Sequence, residues 1–595
     1  MSDSIKTETN VKSDNSKSFL KGAMIMSIGM IIVKLLGMLY KVALTKMYYV
    51  TFGDAYAGIG TGLLGNAYEV YIPLFTLATA GFPIAVSRLI SENIAKNRYK
   101  DVKQIHDISK PFFIIMGTVC FILMIAISFI YVRIIKSPYS IYSMLTLAPS
   151  IFFGCLVSIY RGYFEGQRNM FPTALSEVIE ILPKVVVGLS LAYILMKVGM
   201  NQFLETGGFF GLTFSTEEDA MYTLLGFSVA AAISGISFGS LFSFITLKIM
   251  SKRKKYQFPK EYYENSVDAI SKRETFNQLL KTAIPIGLAA LVMALSSTID
   301  TMVIQNVLYN MAHTNKDALF AQYEGLLSKD TNEENIHTYL YGCYGYALTI
   351  MQLVTTITQA FGTSALPNVT DSYTKGDKTE LKKSVETVMK LTMLVTFPAG
   401  FGLIAISTPL ISIFYAGNSA IIGGQVLRVM GLAVIVIAAS TPICSMLQAV
   451  GKINTPLYLY LIAMASKVVL NFVFVSIVQL NIIGATLGSF IAYLFVCIAG
   501  MIILLKKSNI KFDFRQTILK PLYGGILCGF VAYVSYELFS RILPFILATA
   551  ITILLAAVIY VIFLVILRTF SKNEVESLPK SKNLVTFLEK HNLLG

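Results

Sequence analysis

About fourteen apolar stretches, each close to the roughly 20 residues a helix needs to cross a ~30 Å hydrocarbon layer, follow one another along 595 residues with mostly short polar connections. In lipid a chain must satisfy its own backbone hydrogen bonds, which leaves helices or a closed barrel. Runs this long and continuous select helices. The spans are expected near 19–45, 66–91, 110–135, 141–164, 171–198, 222–249, 278–308, 339–367, 386–415, 421–450, 454–478, 482–506, 519–540 and 545–568. A hydrophobic content of 55% with only 14% charged residues lies far from that of a soluble domain. The expected fold is an all-α polytopic membrane protein.

The net charge of +15 is distributed by topology rather than gathered into a nucleic-acid face. Lys252, Arg253, Lys254, Lys255 and Lys260 follow the sixth span, Lys375, Lys378, Lys382 and Lys383 the eighth, and Lys506, Lys507, Lys511 and Arg515 the twelfth. Intervening loops carry acids, among them Glu217, Glu218, Asp219, Asp330, Glu333 and Glu334. The positive-inside rule then puts both termini and the basic loops in the cytoplasm of a cell whose plasma membrane the chain spans many times. Fourteen, an even number, suits that. Basic loops also face anionic lipid, so topology and membrane-lipid contact account for them without a dedicated site. The tail before the first span reads as disordered rather than as a cleavable signal. Cys120, Cys155, Cys343, Cys444, Cys497 and Cys528 read as packing residues, and the four histidines form no ligand cluster. No cofactor or metal is expected, and no phosphate-binding loop for ATP is present in the sequence.

A weak internal repeat divides the spans. Pro83 matches Pro367, Gly166-x-x-Asn169 with Pro172 matches Gly451-x-x-Asn454 with Pro456, and Lys184-Val-Val-Val matches Lys467-Val-Val-Leu. Gly29 would match Gly287 at a smaller offset. Two six-helix lobes related by a pseudo-twofold axis along the membrane normal are expected. The domains are then a tail, 1–18; an N-terminal lobe, 19–250; a basic cytoplasmic linker, 251–277; a C-terminal lobe, 278–506; two further helices, 507–570; and a cytoplasmic tail, 571–595.

Charged residues inside the spans are the candidate functional groups, because each is costly in lipid unless it faces protein or a water-filled cavity. Lys34 and Lys41 in the first span lie seven residues apart, hence on one helix face, with Gly37 between them leaving room for a ligand or a close helix. Lys41 can alternatively snorkel to the interface. Arg88 closes the second span after Gly81 and Pro83, which should bend or break it, and reads equally as a cytoplasmic anchor. Glu69, earlier in that span, can pair with one of the cations. In the fifth span Glu177, Glu180 and Lys184 share a face, and Glu180 with Lys184 can form an i,i+4 ion pair, either lining the cavity without touching substrate or in a gating or substrate role. In the second half Lys467 and Asn471 share a face. Asp300 and Asn471 could hold a coupling Na⁺ or H⁺, or Asp300 could neutralise a buried lysine.

Tyr160-Arg-Gly-Tyr-Phe-Glu-Gly-Gln-Arg-Asn-Met-Phe-Pro-Thr-Ala-Leu-Ser-Glu-Val-Ile-Glu180 resembles the polysaccharide-exporter branch of the MOP flippase superfamily, in its SpoVB and YtgP group, relatives of the MurJ-type lipid II flippases. Val33-Lys-Leu-Leu-Gly-Met-Leu-Tyr-Lys41 and Leu77-Ala-Thr-Ala-Gly-Phe-Pro-Ile-Ala-Val-Ser-Arg-Leu-Ile-Ser-Glu92 support it. The resemblance implies two six-helix lobes in a V around a cationic cavity, alternating access, and a lipid-tail groove formed by the last two helices. It implies substrate-binding basic residues in the first helix, matched by Lys34 and, within a residue, Lys41. The eighth-helix cation of the MurJ type has no counterpart, since Tyr344 to Pro367 holds no Lys or Arg.

The expected activity is therefore not enzymatic. An undecaprenyl-pyrophosphate-linked cell-wall precursor, lipid II, would be captured by Lys34, Lys41 and Arg88 and flipped outward by the membrane potential or an ion gradient. Cell-wall synthesis proteins are candidate partners. The alternatives are a flippase for another lipid-linked glycan of the capsule, teichoic-acid or O-antigen type, a cation-coupled multidrug antiporter, and, from a different class, a membrane-embedded glycosyltransferase.

Overall fold

The computed structural model describes residues 32–79, 81–167, 169–253, 258–570 and 589–591. The expected N-terminal tail and the start of the first span, residues 1–31, lie outside them, as do Gly29, Lys254, Lys255 and most of the C-terminal tail. The described chain is helical almost throughout. The one sheet is a pair of two-residue strands, Gly208–Phe209 and Leu212–Thr213, turned by Phe210 and Gly211 at positive φ and seated with Phe209 against Ala220 and Leu224.

Helix α1 covers 32–52. It is followed by α2 (Asp54–Thr79), α3 (Gly81–Ala95), α4 (Tyr99–Ile134), α5 (Ser140–Gly166), α6 (Phe171–Thr206), α7 (Glu217–Lys252), α8 (Lys260–Glu264) and α9 (Lys272–Thr314). Then come α10 (Lys316–Gln322), α11 (Ile336–Lys375), α12 (Lys378–Ala405), α13 (Ser407–Phe414), α14 (Asn418–Ala449), α15 (Thr455–Val475), α16 (Asn481–Ser508), α17 (Lys520–Phe539) and α18 (Phe545–Ile566). Among the described residues, 12 helices are long and apolar enough to cross a membrane. The count of fourteen is not reached: α1, whose expected start lies outside the described residues, and α11 are the two expected spans that fall outside the 12.

The chain divides into two compact units, Met1–Asn306 and Val307–Gly595. The division falls inside α9, later than the lobe boundary expected between 250 and 278. The physical reason is that the first part of α9 is bound into the first unit. Thr298 Oγ1 donates to the Glu69 carbonyl at 2.5 Å, and Gln305 Nε2 donates to Asn66 Oδ1 at 2.5 Å. Asn66 Nδ2 in turn donates to Ser140 Oγ at 3.1 Å, so a buried polar string joins α9, α2 and α5. Backbone packing adds to it: a Cβ on Gly81 would lie 2.3 Å from the Ala283 carbonyl oxygen and 2.6 Å from the Gly287 nitrogen.

Each unit is built in the same local order. In the first, α4 packs on α5, α5 on α7 and α6 on α7; in the second, α12 packs on α14, α14 on α16 and α15 on α16. Both α6 and α15 begin with proline in their first turn, Pro172 and Pro456, where its missing N–H costs no hydrogen bond. One landmark of the sequence repeat, Pro172 with Pro456, therefore sits at the starts of two helices. The terminal α17 and α18 pack on each other, and α17 also packs on α12. Their outward faces carry exposed Phe530, Tyr533, Leu538 and Leu554, as lipid-facing helices should.

Candidate functional site: a cationic and aromatic group in the first unit

Helix α1 carries Lys34, exposed, and Lys41, half-buried, two turns apart on one face. Nothing lies within 4 Å of a Cβ built on Gly37, so the space between the two lysines is open. A third cation joins them from α6. Lys184 Nζ stands 5.0 Å from the Tyr40 ring centroid and 5.4 Å from that of Tyr68, an attraction between a cation and the electron-rich ring faces. The charges of Lys184, Lys34 and Glu69 all act on Lys41. Three cations and one carboxylate thus share a small volume.

The aromatic partners add donors. The Tyr40 and Tyr68 hydroxyls are buried and have no hydrogen-bond partner among the described residues. Buried hydroxyls normally find one; the Tyr48 and Tyr131 hydroxyls also lack one among the described residues. From α9, Ser297 Oγ donates to Glu69 Oε2 at 2.8 Å.

The Glu180–Lys184 ion pair that the spacing allows is not formed. Glu180 Oε2 accepts from Arg161 Nη2 at 2.8 Å and its Oε1 accepts from Ser240 Oγ at 3.0 Å. Arg161 Nε also donates to Ser176 Oγ at 2.9 Å. The cause is helix packing. Gly235 and Gly239 on α7 let α6 approach so closely that a Cβ on Gly239 would sit 2.1 Å from the Glu180 carbonyl oxygen and one on Gly235 2.9 Å from the Lys184 Cα. That approach brings Ser240 to Glu180, while α5 supplies a guanidinium whose fork suits a carboxylate better than an ammonium does. Lys184 is left to the tyrosines.

Around Arg161 lies a cavity of about 200 Å³ lined by Phe75, Thr79, Ser158, Glu165 and Glu180. Glu177 is close enough for its charge to be felt with those of Arg161 and Glu180. Arg161 and Glu165, absent from the sequence candidates, are therefore the core of a second polar group. The signal was present: an arginine inside an apolar span, followed 16 and 19 residues later by Glu177 and Glu180.

The remaining candidates are placed apart. Arg88 is exposed on α3 with its charge felt by Glu92, and it is not among the groups acting on Lys41. Asp300 is 7% exposed on α9 in the first unit. Lys467 and Asn471 lie one turn apart on α15 in the second unit, where Asn471 is buried against Gly488 of α16. All six cysteines are free thiols.

Comparison with known proteins gives a consistent family. The profile of the polysaccharide biosynthesis protein family matches residues 19–325, and that of the lipid II flippase MurJ matches residues 338–571. The chain is 22% identical to lipid II flippase MurJ of Bacillus subtilis (strain 168), over 88% of this chain and 89% of that protein. It is 22% identical to stage V sporulation protein B of the same organism, over 95% of this chain and 98% of that one. Among solved structures, MurJ in an inward closed conformation covers 91% of this chain with 98% of its own length at a TM-score of 0.59 and 16% identity. An inward-facing multidrug resistance MATE transporter of the MOP superfamily covers 82% with 99% of its own length at 0.56 and 15% identity. At these identities the structural likeness establishes the fold. The profile match over residues 19–325 takes in more than half of the 595 residues, with every member of the cationic group, and this multi-pass membrane protein belongs to the polysaccharide biosynthesis protein family.

Proposed function

We propose that the protein is a flippase that moves a lipid-linked anionic glycan, lipid II first among them, from the inner to the outer leaflet of the bacterial plasma membrane by alternating access. The observation that carries this is the group of Lys34, Lys41 and Lys184 with the unpartnered Tyr40 and Tyr68 hydroxyls. Lysine ammonium groups suit a pyrophosphate as mobile point charges, and phenolic hydroxyls donate to phosphate oxygens. A cationic drug would be repelled by the same group, which counts against a multidrug antiporter despite the shared fold.

Outward passage of a multiply negative headgroup is favoured by a membrane potential negative inside, at roughly 2.3 kcal/mol per charge for 100 mV. Return of an emptied, net positive site is favoured by the same field. The potential therefore suffices in sign for both halves of the cycle, and coupling to Na⁺ or H⁺ stays a proposed alternative. The exposed tracts on α17 and α18 are the proposed resting place of the polyprenyl tail.

The family match over the cationic group is to polysaccharide biosynthesis proteins as a whole, which favours a second reading in which the cargo is a capsule, teichoic-acid or O-antigen type precursor. A glycosyltransferase would need free outer-loop acids. Here Glu333 is bonded to Lys316, and Glu334 accepts from Tyr309 Oη at 3.1 Å and lies 3.1 Å from His313 Nε2. Purified protein in liposomes, offered several lipid-linked glycans in turn, tests the function. The proposal expects at least one to cross the bilayer faster than an ordinary phospholipid does. Failure of every lipid-linked glycan to move, with accumulation of a cationic drug, would overturn it.

A further inference from the structure

A groove of about 660 Å³ lies away from the cationic group, between the start of α4 and the start of α9. One end is lined by Lys100, Lys103 and Lys272, the other by Phe112, Ile115 and Phe276. Lys100 is occupied, at 2.7 Å from Asp268, and Asp107, which also lines the groove, is held 2.9 Å from Lys110. Lys103 and Lys272 are exposed and form no ion pair among the described residues. The walls are fixed to each other, since Gln104 Nε2 donates to the Ile270 carbonyl at 2.7 Å and to Thr275 Oγ1 at 2.8 Å, and Phe112 and Phe276 meet edge to face at 5.7 Å.

The position relative to the membrane follows from helix geometry. Lys103 precedes the apolar part of α4, Ile115 lies inside it, and their separation of 12 positions spans about 18 Å along the axis. The groove thus runs from headgroup depth into the acyl layer, and it adjoins the basic linker that the positive-inside rule assigns to the cytoplasmic face. We propose that it holds one anionic phospholipid of that leaflet, the phosphate between Lys103 and Lys272 and an acyl chain along Phe112, Ile115 and Phe276. Each lysine near a phosphate is worth about a fivefold gain in affinity, so the pair should favour an anionic over a zwitterionic headgroup by about thirtyfold.

The sequence contains no tryptophan, so Phe276→Trp introduces a single fluorescent reporter into the full-length protein. In phosphatidylcholine vesicles, brominated phosphatidylglycerol at low mole fraction should quench it far more than brominated phosphatidylcholine at the same fraction. Adding Lys103→Gln and Lys272→Gln should abolish the difference, whereas Lys506→Gln with Lys507→Gln should preserve it. Should Phe276→Trp fold poorly, Ile115→Trp, at a 64% exposed position, reports on the same wall. Equal quenching by the two lipids, a preference that survives loss of Lys103 and Lys272, or reversal by millimolar glycerol 3-phosphate would overturn the proposal. None of these outcomes depends on the cargo at the cationic group.

Discussion

Arg161 shows most plainly what a single side chain does in this protein. Its guanidinium and the Glu180 carboxylate are each about a fifth to a quarter exposed, so removing one leaves the other short of both water and partner. Arg161→Ala should destabilise the protein by about 2 kcal/mol, below the range for a fully buried pair because some water reaches both groups. Chemical denaturation in detergent measures this, and Arg161→Lys should recover only part of it because the contact with Ser176 is lost. At Gly37 the expectation is opposite in kind. Gly37→Ala should leave the melting temperature unchanged, since nothing lies within 4 Å, while Gly37→Leu should reduce flipping without unfolding the protein. The first lysine pair was legible in the sequence because isolated charges stand out in an apolar run. Glu180 was legible as a candidate but its partners were not: the i,i+4 rule sees one helix, and Arg161 and Ser240 come from two others. Tyr40 and Tyr68 gave no signal, because a tyrosine in an apolar span looks like ordinary packing.

At the scale of elements, the crossing of Gly81 with the start of α9 carries the most information. The sequence places a bend at Gly81 and Pro83; residue 80 lies outside those described, and Asp54–Ala95 counts as one 42-residue membrane span. What periodicity could not show is that Gly81 also receives the α9 backbone. Gly81→Ala should overpack that crossing and cost about 1–3 kcal/mol, read as a lower melting temperature, with Gly37→Ala as the matched control. The linker before α9 carries a pH-dependent tie. The hydrogen bond and charge of Lys100 hold the Asp268 carboxyl below its ordinary value. A depressed carboxyl contributes above its unfolded pKa, about 3.9, and loses that contribution as pH falls through the folded value. Amide exchange across Ser266 to Ile270, corrected for intrinsic rates, should therefore be slow at pH 6 and faster below about pH 4. Asp268→Asn should exchange faster at pH 6 and match the unaltered protein at low pH.

Each unit carries a similar local packing order, and the clearest sequence landmark for it is a proline in the first turn of α6 and of α15, whereas apolar residues are interchangeable in lipid. The expected count of fourteen is not matched among the described residues, where the expected start of α1 lies outside them and α11 falls outside the 12. The division inside α9 depends on Asn66, Glu69, Ser140 and Gln305, contacts far apart in sequence. Charge is also lopsided at this scale: the cationic group belongs wholly to the first unit, and α11 offers no basic residue from Tyr344 to Pro367. The central claim is that Lys41 and Lys184, with Lys34, hold the phosphates of the cargo. The most direct measurement is exposure of lipid II on the outer face of cells depleted of other flippases, comparing the unaltered protein with Lys34→Ala and with Lys41→Gln combined with Lys184→Gln at matched expression. Each charge-assisted contact is worth about 1.5–3 kcal/mol, so the double variant should lose flipping by well over tenfold and Lys34→Ala should show a smaller deficit. Full exposure of lipid II with all three lysines replaced would contradict the account.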